Sequence, residues 1–285
     1  MVNVNGVHLA VEEFGDRDDP AILLIAGAAS SMDWWDTEFC ERLAAGDRRV
    51  VRYDLRDTGV STSYPAGQAG YTGDDLVDDA VGLIGELGLA PVHLAGISLG
   101  GGIALQITIR YPQLVASLAV LSSTPGDSGE EAPDLPPMDP EITAAFDRGW
   151  PTPDWSIEEE VALYFIHTEE VFSGSIPVDT DRIRRIVGEL VARGGSSATA
   201  ENHYLALGRG EPRSALADIS VPTLVVHGTR DPLFPIEHGE AMANEIPGAV
   251  LLPVEGMGHQ NPPPETWDDI IPAILQNTAR TSEDA

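Results

Sequence analysis

The hydrophobic pattern changes character within the first 25 residues. Residues 2–14 alternate apolar and polar side chains around Asn5-Gly6, a dipeptide typical of two-residue hairpin turns, which predicts an antiparallel hairpin. Ala21–Ile25 is instead a continuous apolar run, as is typical of a parallel strand that is covered on both faces. We therefore expect an opening hairpin followed by a buried sheet.

Strand and helix patterns then alternate along much of the chain. Short β-branched runs predict strands, and apolar residues spaced three to four apart predict helices between them. The predicted strands are 49–53, 91–95, 118–122, 221–226 and 249–254, and the predicted helices are 33–45, 72–88, 99–110, 236–245 and 265–276. This alternation predicts an α/β fold with a mostly parallel, twisted sheet.

Between residues 125 and 216 the alternation stops. Prolines, including Pro133 and Pro140, separate helical stretches such as 156–172 and 181–193, and no strand pattern is present. The segment also carries seven aromatic residues: Phe146, Trp150, Trp155, Tyr164, Phe165, Phe172 and Tyr204. We predict a helical lid over 125–216 with an apolar inner face, inserted into a core domain made of 1–124 and 217–285.

The absence of lysine and the excess of acidic residues argue against several kinds of function. The chain has 285 residues, 46 of them acidic and 16 basic, so its net charge is −30, and every basic residue is an arginine. Without lysine there is no phosphate-loop lysine, no pyridoxal Schiff base and no lysine-dependent aldolase. The acidity argues against a nucleic-acid partner. A hydrophobic content of 42% is sufficient for a large core.

Neither a membrane segment nor a disulfide is expected. The N-terminus lacks a basic region followed by an apolar one, and the longest apolar run, 21–29, is too short to span a bilayer. Cys40 is the only cysteine, and its surroundings favour a buried thiol. We expect a cytoplasmic protein without a membrane association, and the sequence gives no indication of its oligomeric state.

Gly96-Ile97-Ser98-Leu99-Gly100 lies between a predicted strand and a predicted helix. A serine held on so tight a turn projects its hydroxyl at the end of the strand, and the small residues on either side let strand and helix approach closely. Ser98 is therefore the candidate nucleophile.

A serine nucleophile requires a histidine base and a carboxylate, here in the order Ser, Asp, His along the chain. Asp231 follows one predicted strand and His259 follows the next, so both are expected at the carboxyl edge of the sheet. The oxyanion of the reaction needs two N–H donors, for which Ala28 and Leu99 are the candidates.

Other polar and aromatic residues have less specific signals. Trp34 and Trp35 are candidates to line the acyl pocket, with core packing as the alternative. His203 and Tyr204 either line the pocket or pack the lid down. His8, His93 and His227 are interpreted as structural residues, His238 as a surface residue, and Asp74, Asp75, Asp78 and Asp79 as solvated. The cluster Arg52, Asp54, Arg56 and Asp57 is interpreted as a structural network, with substrate contact as the alternative. We expect no metal, since His167, Glu169 and Glu170 do not share a helical face, and no cofactor.

Over nearly its whole length the chain resembles the α/β-hydrolase superfamily. Within it, the chain is similar to esterases that remove the methyl ester of anthracycline-type aromatic polyketides. The motifs that carry this resemblance are residues 52–61, Val221-Pro-Thr-Leu-Val225, Asp231-Pro232, Gly256-Met-Gly-His259 and His203-Tyr204. The resemblance implies a serine esterase that acts on a bulky apolar or aromatic ester in antibiotic biosynthesis; Ala28 and Leu55 depart from the family pattern, which has a glycine and a histidine there.

Three functions remain open on this evidence. The first is hydrolysis of a small-molecule carboxylic ester by Ser98, His259 and Asp231. The second is cofactor-free haloperoxidase or perhydrolase chemistry, in which the same triad passes the acyl group to peroxide. The third is a ligand-binding or lyase protein that hydrolyses nothing, against which the presence of all three triad residues argues.

Overall fold

The opening hairpin forms a small sheet of its own. The computed structural model describes residues 1–126, 134–206, 210–211 and 213–280, and its first strands, β1 (Val2–Val4) and β2 (Val7–Leu9), pair antiparallel. Asn5 and Gly6 adopt φ angles of +47° and +79° in the turn between them. Both values suit the two-residue turns that match the twist of paired strands, and the predicted hairpin is confirmed.

A seven-stranded sheet forms the centre of the molecule. Its order is β3-β5-β4-β6-β7-β8-β9, and every neighbouring pair is parallel except β3 with β5. The strands are β3 (Val11–Phe14), β4 (Ala21–Ile25), β5 (Arg49–Tyr53), β6 (Val92–Ile97), β7 (Val115–Leu121), β8 (Thr223–Gly228) and β9 (Val250–Val254). The predicted α/β class with a mostly parallel sheet is confirmed.

The described residues form nine α-helices, which cover the sheet and its carboxyl edge. They are α1 (Thr37–Ala44), α2 (Gly73–Glu86), α3 (Leu99–Arg110), α4 (Pro140–Arg148), α5 (Glu158–Phe172), α6 (Thr180–Ala192), α7 (Asn202–Ala206), α8 (Ile236–Glu245) and α9 (Trp267–Ala279). Most lie within a few residues of their predicted positions, and α2 begins with a reciprocal capping box between Thr72 and Asp75.

The predicted helix over 33–45 is wrong in its first turn. Met32–Trp34 forms a short 3₁₀ turn, and α1 begins only at Thr37. The Trp35 carbonyl, which a continuous helix would use for its own bonding, instead accepts a hydrogen bond from the Arg52 guanidinium on β5. The chain leaves the helical conformation because this carbonyl is held by the sheet.

Alternate residues of the central strands pack on opposite faces of the sheet. On β4, Leu23 and Ile25 face the side covered by α2, α3 and α8, while Ile22 and Leu24 face the side covered by α1 and α9. Cys40 is completely buried on the second side, and burial raises the pKa of its thiol to about 12, as expected for a buried, unreactive thiol.

The helices α4 to α7 lie over the carboxyl edge of the sheet, and we call residues 134–206 the cap. In its described part, the cap shares one isolated β-bridge with the core, between Ser196 and Gly59, and backbone hydrogen bonds also join Asp139, Phe172 and Ser175 to core loops. The α5–α6 pair forms a third apolar cluster together with Trp34 from the core. The predicted division into a core domain and a lid over 125–216 stays a prediction, and Pro133 lies outside the described residues.

No helix within these described ranges is long and apolar enough to cross a membrane.

Candidate active site

Ser98 lies on a sharp turn between β6 and α3. Its backbone has φ +52° and ψ −118°, a conformation that is costly for a non-glycine residue. The turn is possible because residues 96 and 100 are glycines. A Cβ atom at Gly96 would lie 2.1 Å from the Gly100 carbonyl oxygen, and one at Gly100 would lie 2.2 Å from the Ile25 carbonyl oxygen. The two glycines therefore let β4, β6 and α3 converge beneath the half-buried Ser98 hydroxyl.

Three side chains from the ends of three strands form a continuous hydrogen-bonded chain. The distance from Ser98 Oγ to His259 Nε2 is 3.0 Å, and His259 Nδ1 lies 2.9 Å from Asp231 Oδ2. With Nδ1–H donating to the carboxylate, Nε2 is the acceptor for the serine hydroxyl. The sequence predicted these three residues, and the structure brings them within hydrogen-bonding distance.

Asp231 is held as a carboxylate by its surroundings. Its Oδ1 accepts hydrogen bonds from the backbone N–H groups of Leu233 and Phe234, at 2.9 and 2.8 Å. Burial acts to raise the pKa of Asp231, but the His259 imidazole, with smaller contributions from His227 and the Phe234 N–H, outweighs it and keeps the pKa below its usual value. A charged Asp231 orients the His259 ring and stabilises its protonated form.

A second histidine, His227, lies beside the same carboxylate without joining the chain. It is fully buried, and its Nε2–H donates to the Phe234 carbonyl at 2.7 Å. Burial lowers the pKa of His227, so the ring stays neutral. It packs the turn that carries Asp231, in agreement with its interpretation as a structural residue.

Ala28 and Leu99, the two candidate oxyanion donors, line the same cavity as Ser98. Leu99 is the first residue of α3, so its N–H has no partner within the helix. Ala28 lies in the loop after β4, between Gly27 and Ala29. Across the described residues, neither amide donates to a protein acceptor, which leaves both available to an oxygen bound beside Ser98.

Ser98 lies where two cavities of different character meet. The larger has a volume of about 410 Å³ and a mostly apolar lining that includes Ile103, Ile109 and Leu216. The smaller, of about 130 Å³, is lined by aromatic rings and by Glu169, Gln260 and Asn261. Both contact the same five residues: Ala28, Ser98, Phe146, Tyr204 and Leu233. A substrate bound at Ser98 can therefore extend in two chemically distinct directions.

The predicted pocket residues occupy three different positions. Trp34 lines the smaller cavity, with its ring 5.4 Å from that of Phe165, whereas Trp35 packs inside the core. Tyr204 lines both cavities. His203 is fully buried behind the wall, where Nδ1 accepts from the Ala29 N–H at 3.0 Å. Six of the seven aromatic residues predicted for the lid line a cavity, Trp155 being the exception.

The charged loop after β5 is a buried network, as predicted, but one partner differs from the prediction. Asp79 was expected to be solvated; it is 1% exposed and forms two hydrogen bonds with Arg56, at 2.6 and 2.8 Å. The expectation was wrong because Asp79 lies on the buried face of α2, three residues after Leu76 and four before Leu83. The pairing holds Arg56, and with it the loop, against the core.

His238 is also placed differently from the prediction. It is 3% exposed rather than on the surface, with Nδ1 3.0 Å from Thr124 Oγ1 and Nε2 2.9 Å from the Pro136 carbonyl. This ring links α8 to the segment that leads into the cap.

Of the histidines interpreted as structural, His93 is buried against Ser117, and burial lowers the pKa of His93 to about 4. His8 is instead exposed on the hairpin.

Glu169 is a functional candidate that the sequence analysis considered only as a metal ligand. It projects from α5 into the smaller cavity, which His259 also lines. Within the described part of the chain, its carboxylate has no hydrogen bond and no ion pair. Burial raises the pKa of Glu169 to about 7, against the opposing influence of Arg182 and His259. Only the fold of α5 over the triad reveals this position, so no local sequence signal identified it.

No group of three or more His, Cys, Asp or Glu side chains that could hold a metal ion is found within residues 1–126, 134–206, 210–211 and 213–280. His167 and Glu170 are both exposed and 4.0 Å apart. The polar groups around Ser98 are instead arranged for proton transfer and for binding an oxyanion.

Comparison with known proteins agrees with this geometry. A family model for the alpha/beta hydrolase fold matches residues 20–261. The chain is 30% identical to rhodomycin D methylesterase DauP of Streptomyces sp. (strain C5) and 28% identical to the bifunctional esterase/perhydrolase DCH of Acinetobacter calcoaceticus, in both cases over 92% of each protein.

Solved structures agree on the fold. An esterase from Exiguobacterium antarcticum superimposes with a TM-score of 0.76 at 22% identity, covering 97% of both chains.

The names of the sequence relatives agree with the carboxylic-ester hydrolase activity that the sequence predicts.

Proposed function

The chain belongs to the α/β-hydrolase fold family and is a carboxylic-ester hydrolase, and from this premise we propose that Ser98, His259 and Asp231 carry out the reaction through an acyl-enzyme intermediate. The observation that carries the proposal is the hydrogen-bonded chain of 3.0 and 2.9 Å that joins the three side chains. The order of the three residues and the direction of the hydrogen bonds between them are those that a serine nucleophile requires.

In the acylation step, His259 Nε2 accepts the Ser98 proton as Oγ attacks the ester carbonyl carbon. The carbonyl oxygen becomes an oxyanion, which the Ala28 and Leu99 N–H groups stabilise. Collapse of this intermediate breaks the bond to the alcohol oxygen, and His259 gives the proton to the departing alkoxide. Water then attacks the acyl-enzyme by the same route and releases the acid.

The proposed substrate is an ester with a bulky apolar or aromatic acyl part and a small alcohol, such as a polyketide methyl ester. A largely apolar cavity of about 410 Å³ supports the acyl part, since pockets of this size and lining suit drug-sized apolar ligands. The rhodomycin D methylesterase relatives support the methyl ester, and with it a place in antibiotic biosynthesis.

The test is the formation of acid product, detected by mass spectrometry, from an anthracycline-type methyl ester, p-nitrophenyl acetate and longer acyl esters. We expect Ser98→Ala to lower kcat/KM by about 10⁴-fold or more on each ester that the enzyme hydrolyses, without loss of stability. Retention of activity in this variant would refute the proposed triad. Turnover of only the small activated esters would leave the triad in place and refute the polyketide substrate.

Ser117→Ala provides a matched control. Ser117 Oγ also lies 2.9 Å from a histidine nitrogen, that of His93, but near the amino end of β7, away from the cavities. No carboxylate hydrogen-bonds to His93 in the described structure. We expect this variant to keep its activity, since a serine–histidine pair alone does not make a nucleophile.

Perhydrolysis is the second candidate, and the 28% identical esterase/perhydrolase favours it. The same acyl-enzyme would pass its acyl group to hydrogen peroxide in place of water, forming a peroxy acid. Bromination that depends on peroxide and acetate, and that is lost in Ser98→Ala, is the expected sign. An enzyme that hydrolyses esters without such bromination is a hydrolase alone.

A further inference from the structure

His203 connects the cap to the loop that carries Ala28. It lies on α7 and is fully buried, and both of its ring nitrogens are hydrogen-bonded to backbone groups of the core. Nδ1 accepts from the Ala29 N–H at 3.0 Å, and Nε2 lies 2.6 Å from the Arg56 carbonyl oxygen. Because a carbonyl only accepts, Nε2 carries the proton, and the same neutral tautomer leaves Nδ1 free to accept.

The peptide group that His203 holds is next to the proposed oxyanion donor. Ala29 has φ +58°, a left-handed conformation that is costly for a residue with a side chain. The orientation of the Ala28–Ala29 peptide depends on this angle and on ψ of Ala28. A hydrogen bond to the Ala29 N–H therefore fixes the backbone on one side of Ala28, and burial lowers the pKa of His203, which favours the neutral ring that this bond needs.

The other end of the imidazole is attached to a rigid part of the core. The Arg56 carbonyl belongs to the loop that the buried Arg56–Asp79 pair holds in place. The preceding residue, Asn202, hydrogen-bonds to the same loop through Asp57 and Pro65, both at 3.1 Å. His203 thus connects the loop of Ala28 and Ala29 to the loop of Arg56, which is held firmly against the core, and His203 itself belongs to the cap.

On the basis of the proposed function, we propose that His203 is a positioning residue, which acts through Ala29 to hold the Ala28 N–H in the geometry that stabilises the oxyanion. The cap is then more than the wall of the substrate cavities. It supplies a hydrogen bond without which the oxyanion site of the core is incompletely ordered.

Two substitutions separate the two bonds of the imidazole. Asparagine places an amide oxygen near the position of Nδ1, so His203→Asn keeps an acceptor for the Ala29 N–H and loses the bond to Arg56. Glutamine reaches the position of Nε2, so His203→Gln keeps the bond to Arg56 and leaves the Ala29 N–H without an acceptor. Each variant loses one buried hydrogen bond, and we expect similar decreases in Tm.

We expect kcat for p-nitrophenyl acetate to fall about 10- to 100-fold in His203→Gln and less than about 3-fold in His203→Asn, with KM little changed in both. Asn202→Ala is the matched control, because it removes bonds between the same helix and the same loop but does not contact residues 27–29. It should lower Tm while keeping kcat within about 2-fold of the wild type.

Equal kcat values in the two His203 variants, or a loss in Asn202→Ala as large as in His203→Gln, would overturn the inference, because kcat would then follow the stability of the cap. If Ser98→Ala retained activity, the proposed function itself would fail; an inactive Ser98→Ala beside equal His203 variants would reject this inference alone.

A measurement on the wild-type protein does not depend on whether the variants fold. The ¹⁵N chemical shifts of His203 report which ring nitrogen carries the proton. We expect an unprotonated Nδ1 and a protonated Nε2 at neutral pH. A proton on Nδ1 would be incompatible with the bond to Ala29 and would also overturn the inference.

Discussion

The carboxyl edge of the sheet and the cap are held in place in different ways. At the edge, Ser98, Asp231 and His259 each follow a strand closely. Hydrogen bonds from Leu233 and Phe234 shape the turn of Asp231, and the backbone N–H of His259 donates to the Phe172 carbonyl of the cap. The cap is attached by buried polar pairs that lie 139 to 160 residues apart in the chain.

These long-range pairs occur mainly around α6 and α7. Arg182 donates to Asp36, and Arg193 contacts both Asp33 and Asp54, three aspartates that are each less than 5% exposed. The reacting side chains are therefore located at strand ends of the core, and the cavities depend on how the cap docks. We infer that changes at the docking residues act first on stability, and that changes along the cavities act on substrate choice.

Arg193→Met tests the docking of the cap and has the largest effect expected here. The substitution leaves the Asp33 and Asp54 carboxylates buried without their cation, and breaking such a pair costs about 3–5 kcal/mol. We expect Tm to fall by roughly 10 °C. Since no triad atom contacts Arg193, kcat for p-nitrophenyl acetate measured below Tm should change less than about 3-fold.

Arg184→Met is the matched control on α6. Its ion pairs with Glu159 and Asp181 are solvent-exposed, so their loss should leave Tm nearly unchanged. Equal Tm values for the two variants would mean that the buried charges do not hold the cap, and the contrast between the two regions would lose its basis.

The same contrast explains how much the sequence predicted. Gly96-Ile-Ser98-Leu-Gly100 follows an apolar strand and precedes a helix, so its local pattern was sufficient to place the nucleophile. Asp231 and His259 followed from chain order and from the shared edge of a parallel sheet. The mostly parallel sheet followed from the alternation of strands and helices.

Residues whose role depends on a distant partner were predicted less well. His203 is adjacent to Tyr204 in sequence, yet His203 lies behind the cavity wall and Tyr204 on it, because the hydrogen-bond partners of His203 come from loops 147 and 174 residues away. Asp79 was misassigned although its position on the apolar face of α2 was visible, because its partner Arg56 lies on a different loop. A hydrophobic pattern reports burial and does not report which charges meet.

Gly102→Leu tests whether substrate choice can be changed from the core side alone. Gly102 lies on α3 beside the larger cavity, and a side chain built there meets no atom within 4 Å. Leucine also forms helix more readily than glycine. We expect KM for long or aromatic acyl esters to rise about 10-fold or more, with p-nitrophenyl acetate hydrolysed as before and Tm not lowered.

Gly85→Leu is the corresponding control on the exposed side of α2, where an added side chain likewise meets nothing within 4 Å. It should leave the preference among esters unchanged. A Gly102→Leu enzyme that still accepts the bulky esters would show that their acyl part does not occupy the larger cavity.

Glu169→Gln concerns a charge that the cap places beside the triad, and it has the smallest expected effect. Because burial raises the pKa of Glu169 from 4.5 to about 7, the folded protein retains this proton at pH values where the unfolded chain has lost it. Stability therefore falls as pH rises from about 4.5 through 7, and glutamine removes this loss.

We expect the Glu169→Gln variant to match the wild type in Tm at pH 4 and to exceed it by a few degrees at pH 8. Glu170→Gln, at an exposed neighbouring position, should change neither Tm value. A Tm difference that does not depend on pH would mean that Glu169 titrates normally, and the smaller cavity would then be as well solvated as the protein surface.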